Sequence, residues 1–91
     1  MKKKDIEVGQ SYHRGRIVRT VVEEGAHLAD EVLEDKDCIR YTVVQGSWRS
    51  RRRLQVMTRR AFALWAQGKL TERQLEDVRH GRFEPSEEVS A

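Results

Sequence analysis

Apolar positions along the chain follow two periods: alternation through the first part and helical spacing after residue 58. Residues 16–24, Arg-Ile-Val-Arg-Thr-Val-Val-Glu-Glu, are rich in β-branched side chains and bounded by Gly15 and Gly25. That pattern predicts a strand with a turn at either end. Residues 39–45 place Ile39, Tyr41 and Val43 on one face and Arg40 and Thr42 on the other, and Gly46-Ser47 ends them. Residues 52–57 predict a third strand, with Leu54 and Val56 sharing a face opposite Arg53 and Gln55. Weaker strands are expected at residues 10–14 and 29–34. The connections are too short for parallel crossovers, so the strands are expected in antiparallel order.

The period then changes. Thr58 is placed to cap a helix over residues 59–67, with Gly68 at the position that ends it. Ala61, Phe62, Leu64 and Trp65 give that helix a broad apolar face. Thr71-Glu72-Arg73-Gln74 has the spacing of a capping box, Gly81 closes the second helix, and Leu70, Leu75 and Val78 supply its buried side. The expected fold is α+β: a small antiparallel sheet or partial barrel of four or five strands, followed by a C-terminal helical hairpin. A single domain over residues 5–83 is expected between polar tails at 1–4 and 84–91, both read as disordered.

Composition narrows the class. The chain has 91 residues, enough for one domain with a small core, and its 37% hydrophobic content leaves little to spare. A formal net charge of +3 is too low for a disordered polyelectrolyte. Cys38 is the only cysteine, which excludes an internal disulfide, and its place at a strand start reads as a small buried hydrophobe. His13, His27 and His80 stand apart from any ligand spacing, so no metal is expected. No apolar run approaches the roughly 20 residues of a membrane span. Met1-Lys2-Lys3-Lys4 opens like a signal peptide, but Asp5-Ile6-Glu7 follows where an apolar stretch belongs. A cytoplasmic protein is expected. The chain also lacks a Gly-rich phosphate loop, a nucleophile elbow and a carboxylate pair in apolar sequence, so neither catalysis nor a cofactor is expected.

Charge is striped along the chain. Residues 21–37 carry seven acids and one lysine, whereas residues 38–60 carry seven arginines and no acid. Arginine outnumbers lysine 13 to 5, and its planar fork suits bidentate contact with phosphate or carboxylate. Trp48, Arg49, Arg51, Arg52 and Arg53 follow the Gly46 turn, with Arg59 and Arg60 expected to extend the patch. A basic loop with one aromatic residue fits a site that tracks a nucleic-acid backbone and stacks an unpaired base. The opposing interpretation pairs these arginines with the acidic stripe, Glu31, Glu34, Asp35 and Asp37. The acidic stripe itself reads as a solvated hairpin that guards a sheet edge. The apolar helix suggests a second kind of partner, another protein or a second copy, through Phe62, Leu64 and Trp65.

Asp5-Ile-Glu-Val-Gly-Gln-Ser-Tyr12 followed by Gly15-Arg-Ile-Val-Arg-Thr-Val-Val22 resembles the opening of small SH3-like β-barrels of the Tudor and KOW sort. Short, charged chains of this kind are similar to phage and prophage accessory proteins. The resemblance implies a barrel-like β-domain over about residues 5–57 that binds nucleic acid or protein.

Overall fold

The computed structural model describes residues 1–44 and 54–84. Among these residues the fold is α+β, with one five-stranded antiparallel sheet and two α-helices. The strands are β1 (Ser11–Arg14), β2 (Ile17–Glu24), β3 (Cys38–Val44), β4 (Leu54–Thr58) and β5 (Gly68–Lys69), in the sheet order β4-β3-β2-β1-β5. Helix α1 (Arg59–Trp65) joins β4 to β5, and α2 (Glu72–Arg79) follows. β4 and β5 occupy opposite edges and do not pair, so the sheet is not closed.

β1 and β2 form a hairpin in which Arg14 pairs with Ile17. Gly15 takes φ +56 at the first turn position, a conformation glycine adopts without the Cβ penalty. β2 pairs with β3 through Val18↔Val44, Thr20↔Thr42 and Val21↔Tyr41, and the register shifts by a bulge between Val21 and Glu23. The expected faces of β3 hold: Ile39 and Tyr41 are buried and Val43 packs against the core.

The expected alternation of β4 holds, and the face opposite Val56 is the one turned to the core. Met57 lies against the core, while Val56 is exposed. The register pairs Ile39 with Met57 and Tyr41 with Gln55, and the Tyr41 hydroxyl donates to Gln55 Oε1 at 2.9 Å. Cross-strand contacts fixed which face turned inward, and a one-residue difference in parity reverses every side chain.

Residues 29–34 are not a strand. A 3-10 turn at Ala26–Leu28 follows Gly25, and Leu33 N–H bonds back to Asp30 O. Local acceptors compete with sheet pairing here, as in the bond from Asp37 N–H to Asp35 Oδ1. The first residues also differ from the expected tail: Lys3–Asp5 form a 3-10 turn, and Lys3 Nζ lies 3.4 Å from Asp37. Residues 85–91 lie outside the described residues.

Thr58 caps α1 as expected, its hydroxyl accepting from Ala61 N–H at 3.1 Å. The capping box of α2 is complete: Gln74 N–H donates to Thr71 Oγ1, and Thr71 N–H donates to Gln74 Oε1. The helices do not form a hairpin. α1 ends at Trp65, and β5 adds to the sheet between them. Gln67 and Leu70 N–H bond the carbonyls of His13 and Ser11. Gly68 permits this approach, since a Cβ there meets His13 Nε2 at 3.1 Å.

The core is aromatic. Phe62 is fully buried, with Tyr12, Tyr41 and Trp65 ring centroids 5.4, 5.6 and 5.3 Å away. Edge-on and tilted arrangements of this kind add to the gain from burial. The Tyr12 hydroxyl donates to Asp5 O and accepts from Glu7 N–H, which fixes the first residues over β1. Burial pushes the Tyr12 pKa above its usual value.

Candidate functional site

The antiparallel order sorts the charged segments to two ends of the sheet. At one end lie the β1–β2 turn, the last residue of β3 and the first of β4. Arg14 and Arg16 flank that turn, and Arg19 stands two residues into β2. The chain leaves this end at Val44 and re-enters at Leu54. Trp48, Arg49, Arg51, Arg52 and Arg53, in the intervening stretch, lie outside the described residues. At the other end β2 finishes at Glu24 and β3 starts at Cys38. The acidic stretch between them therefore attaches to the end opposite Arg14 and Arg16.

At the cationic end Arg19 is half-buried among aromatic residues. Its Cζ lies 4.1 Å from the Trp65 ring centroid and 4.7 Å from that of Tyr41, distances at which the ring quadrupole attracts the cation. Among the described residues its hydrogen-bond acceptor is Met57 Sδ at 3.7 Å, and its Nε is fully buried with no partner. Arg14 donates to the Trp65 carbonyl at 2.9 Å, placing a cation on the C-terminal carbonyls of α1. Arg16 forms an exposed ion pair with Glu84 at 3.0 Å. On the opposite sheet face, Phe83 packs edge-on against His13 at 5.4 Å.

The acidic end is partly neutralised. Arg59 Nε donates to Asp37 Oδ1 at 3.0 Å, and the same guanidinium bonds Glu24 and the Ile6 carbonyl. Its side chain is only 14% exposed. The hydrogen bond from Arg59 holds Asp37 below its ordinary carboxyl pKa. Glu23 receives Arg40 at 3.0 Å and His27 at 2.6 Å, and the His27 hydrogen bond lowers its pKa.

These positions revise the expected patch. Arg59 and Arg60 follow β4, whose five residues at about 3.4 Å each put them about 15 Å from the Leu54 end. Arg59 is turned into the acidic cluster and Arg60 is exposed, so neither extends the cationic end. Phe62 is wholly buried and Trp65 is half-buried beside Arg19, which leaves Leu64, 73% exposed, as the outward residue of the expected protein-contact set. Sequence reasoning missed Arg14 and Arg19. The sequence carried no clear signal for Arg19: Ile17 and Val21 share its face, but Val18 and Val22 make the opposite face equally apolar.

Among the described residues no three His, Cys, Asp or Glu side chains group as a metal site, and no helix is long and apolar enough to cross a membrane. Cys38 is buried, and desolvation pushes its pKa up, opposite to the direction that activates a nucleophile. Fold and charge layout define a small α+β protein with a cationic and an acidic end. No protein-family model, curated protein or solved structure matches the chain.

Proposed function

We propose that the protein is a non-catalytic, cytoplasmic binder that contacts nucleic-acid phosphates at the cationic end of its sheet, without strong sequence specificity. The observation that carries this reading is the separation of charge. Arg14, Arg16, Arg19 and both attachment points of the arginine-rich stretch share one sheet end, and the acidic stretch attaches to the other. A polyanion is attracted to one end and repelled by the other, so the field orients the encounter. Trp48, within the attached stretch, supplies a face on which an unpaired base stacks. The finer fold reading, an SH3-like partial barrel, draws support from β5, which returns to pair with β1 after β4.

The test is titration with a short single-stranded oligonucleotide across a salt series. Binding should weaken with a log–log slope of about −0.7 per phosphate contact. Replacing Arg51 and Arg52 with serine should flatten that slope by about 1.4. Absence of binding at low salt to single strands, duplex DNA and RNA overturns the reading.

A second reading rests on Leu64, exposed on α1: a protein partner or homodimer held through this helix. Leu64→Asp should then abolish a dimer seen by sedimentation, whereas a parent that sediments as a monomer removes the homodimer.

A further inference from the structure

Arginine on the buried face of a strand is expected to meet a carboxylate, because an unpaired, partly desolvated guanidinium is costly. Arg19 meets none among the described residues. Among the described residues its Nη1 reaches a thioether at 3.7 Å and the buried Nε has no partner. Meanwhile the position of the guanidinium is well defined, since it rests over the rings of Trp65 and Tyr41. The rings hold the planar fork in one orientation, so a bond from its Nη groups costs little further ordering.

Arg14 stands beside it. Arg14 faces Ile17 across the hairpin, so Arg19 is its diagonal neighbour on the same sheet face, a separation of about 7–8 Å that long side chains bridge. Its bond to the Trp65 carbonyl uses Nη1 only, leaving further donors on an exposed side chain. Both arginines therefore converge on Trp65, one on its ring and the other on its carbonyl.

We infer that Arg14 and Arg19 form a two-guanidinium oxyanion site organised around Trp65, and that its ligand is the phosphodiester of a nucleic-acid strand. The inference rests on the phosphate-binding reading of this sheet end, and it assigns to described side chains the contact made there. Phosphate oxygens accept from the Nη groups of the two arginines, through charge-assisted bonds of the kind arginine makes best. A purely structural role, in which Arg19 serves only to cover Tyr41 and Trp65, makes the opposite prediction about stability.

The experiment compares the full chain with its Arg19→Met and Arg14→Gln variants. Methionine preserves an apolar stem and the contact with the rings. Thermal melting is measured with anisotropy titration of labelled oligothymidylate at low salt, and polyglutamate is the second probe. We expect Arg19→Met to melt at or above the parent temperature, since an unpaired charge is removed, and to bind the oligonucleotide about tenfold more weakly. Arg14→Gln should weaken binding as well. In nitrogen-resolved spectra, the Arg19 Nε–H signal should shift with oligonucleotide and saturate. Parent binding with unchanged affinity in Arg19→Met overturns this inference while the broader reading stands. Failure of the parent to bind any oligonucleotide overturns both. Arg19-dependent binding of polyglutamate without binding of oligonucleotide assigns the site to carboxylates and overturns the phosphate ligand.

Discussion

Removing the Arg59 side chain tests most sharply whether this residue holds the fold or serves a surface patch. Its guanidinium joins three segments: the Ile6 carbonyl near the N-terminus, Glu24 at the end of β2 and Asp37 before β3. Hydrogen bonds to charged groups net about 1.5–3 kcal/mol each. Asp37 is 39% exposed and Glu24 50%, which brings each pair closer to the ~1 kcal/mol of surface ion pairs. With the Ile6 carbonyl left without this donor, Arg59→Ala should cost about 2–4 kcal/mol. For a domain of this size that corresponds to a fall of roughly 8–30 °C in Tm. Urea unfolding followed by tryptophan fluorescence gives the free energy directly. Arg59→Lys should recover only part of the loss, because an ammonium does not reproduce the fork. An Arg59→Ala protein that melts within about 4 °C of the parent, less than about 1 kcal/mol for a domain of this size, would refute that structural role. If that variant also lost oligonucleotide binding, Arg59 would return to the phosphate site.

Further predictions concern acidity, the core, one turn and the cysteine. Asp37 and Glu23 have folded pKa values below the ordinary 3.8 and 4.5, so their stabilising contribution is present above those values and is lost as pH falls through the lower, folded ones. Tm should therefore decline in acid below about pH 4.5, and the Asp37 part of that decline should shrink in Arg59→Ala, where Lys3 still faces that carboxylate; an equal decline in both proteins contradicts the coupling. Phe62→Ala should cost about 3–5 kcal/mol by urea unfolding, whereas Leu64→Ser should stay within about 0.5 kcal/mol. Gly25 has φ +146, and a Cβ there meets His27 Nδ1 at 2.6 Å. Gly25→Ala should destabilise by about 1–3 kcal/mol, and an unchanged melt removes the argument. Ellman's reagent should label the buried, pKa-raised Cys38 no faster than the protein opens; immediate labelling of the native protein contradicts its burial.

The strands at β2 and β3 were legible because β-branched alternation coincided with glycine boundaries, and the α2 start because its capping box spans only four residues. Both signals are local. The inward face of β4 was not legible: Leu54 and Val56 are the apolar pair, yet Met57 faces the core because cross-strand pairing with Ile39 sets the parity. β5 left no trace in the pattern. Two residues with a glycine have no strand preference, and the pairing arises from carbonyls of β1. The same limit applies to the charged residues. A run of arginines is visible along the chain, but the antiparallel path through β4 carries Arg59 to the acidic end, while Arg14 and Arg19 come together from two strands.

The separation of charge is tested most directly by mapping a bound strand onto the sheet. Backbone amide shifts recorded during titration with oligothymidylate should change at Arg14–Arg19, Val43 and Trp65, and remain still from Glu23 to Asp37. Shifts concentrated at the acidic end or around Arg59 and Arg60, or none at saturating oligonucleotide in low salt, would contradict the assignment of phosphate binding to the cationic end.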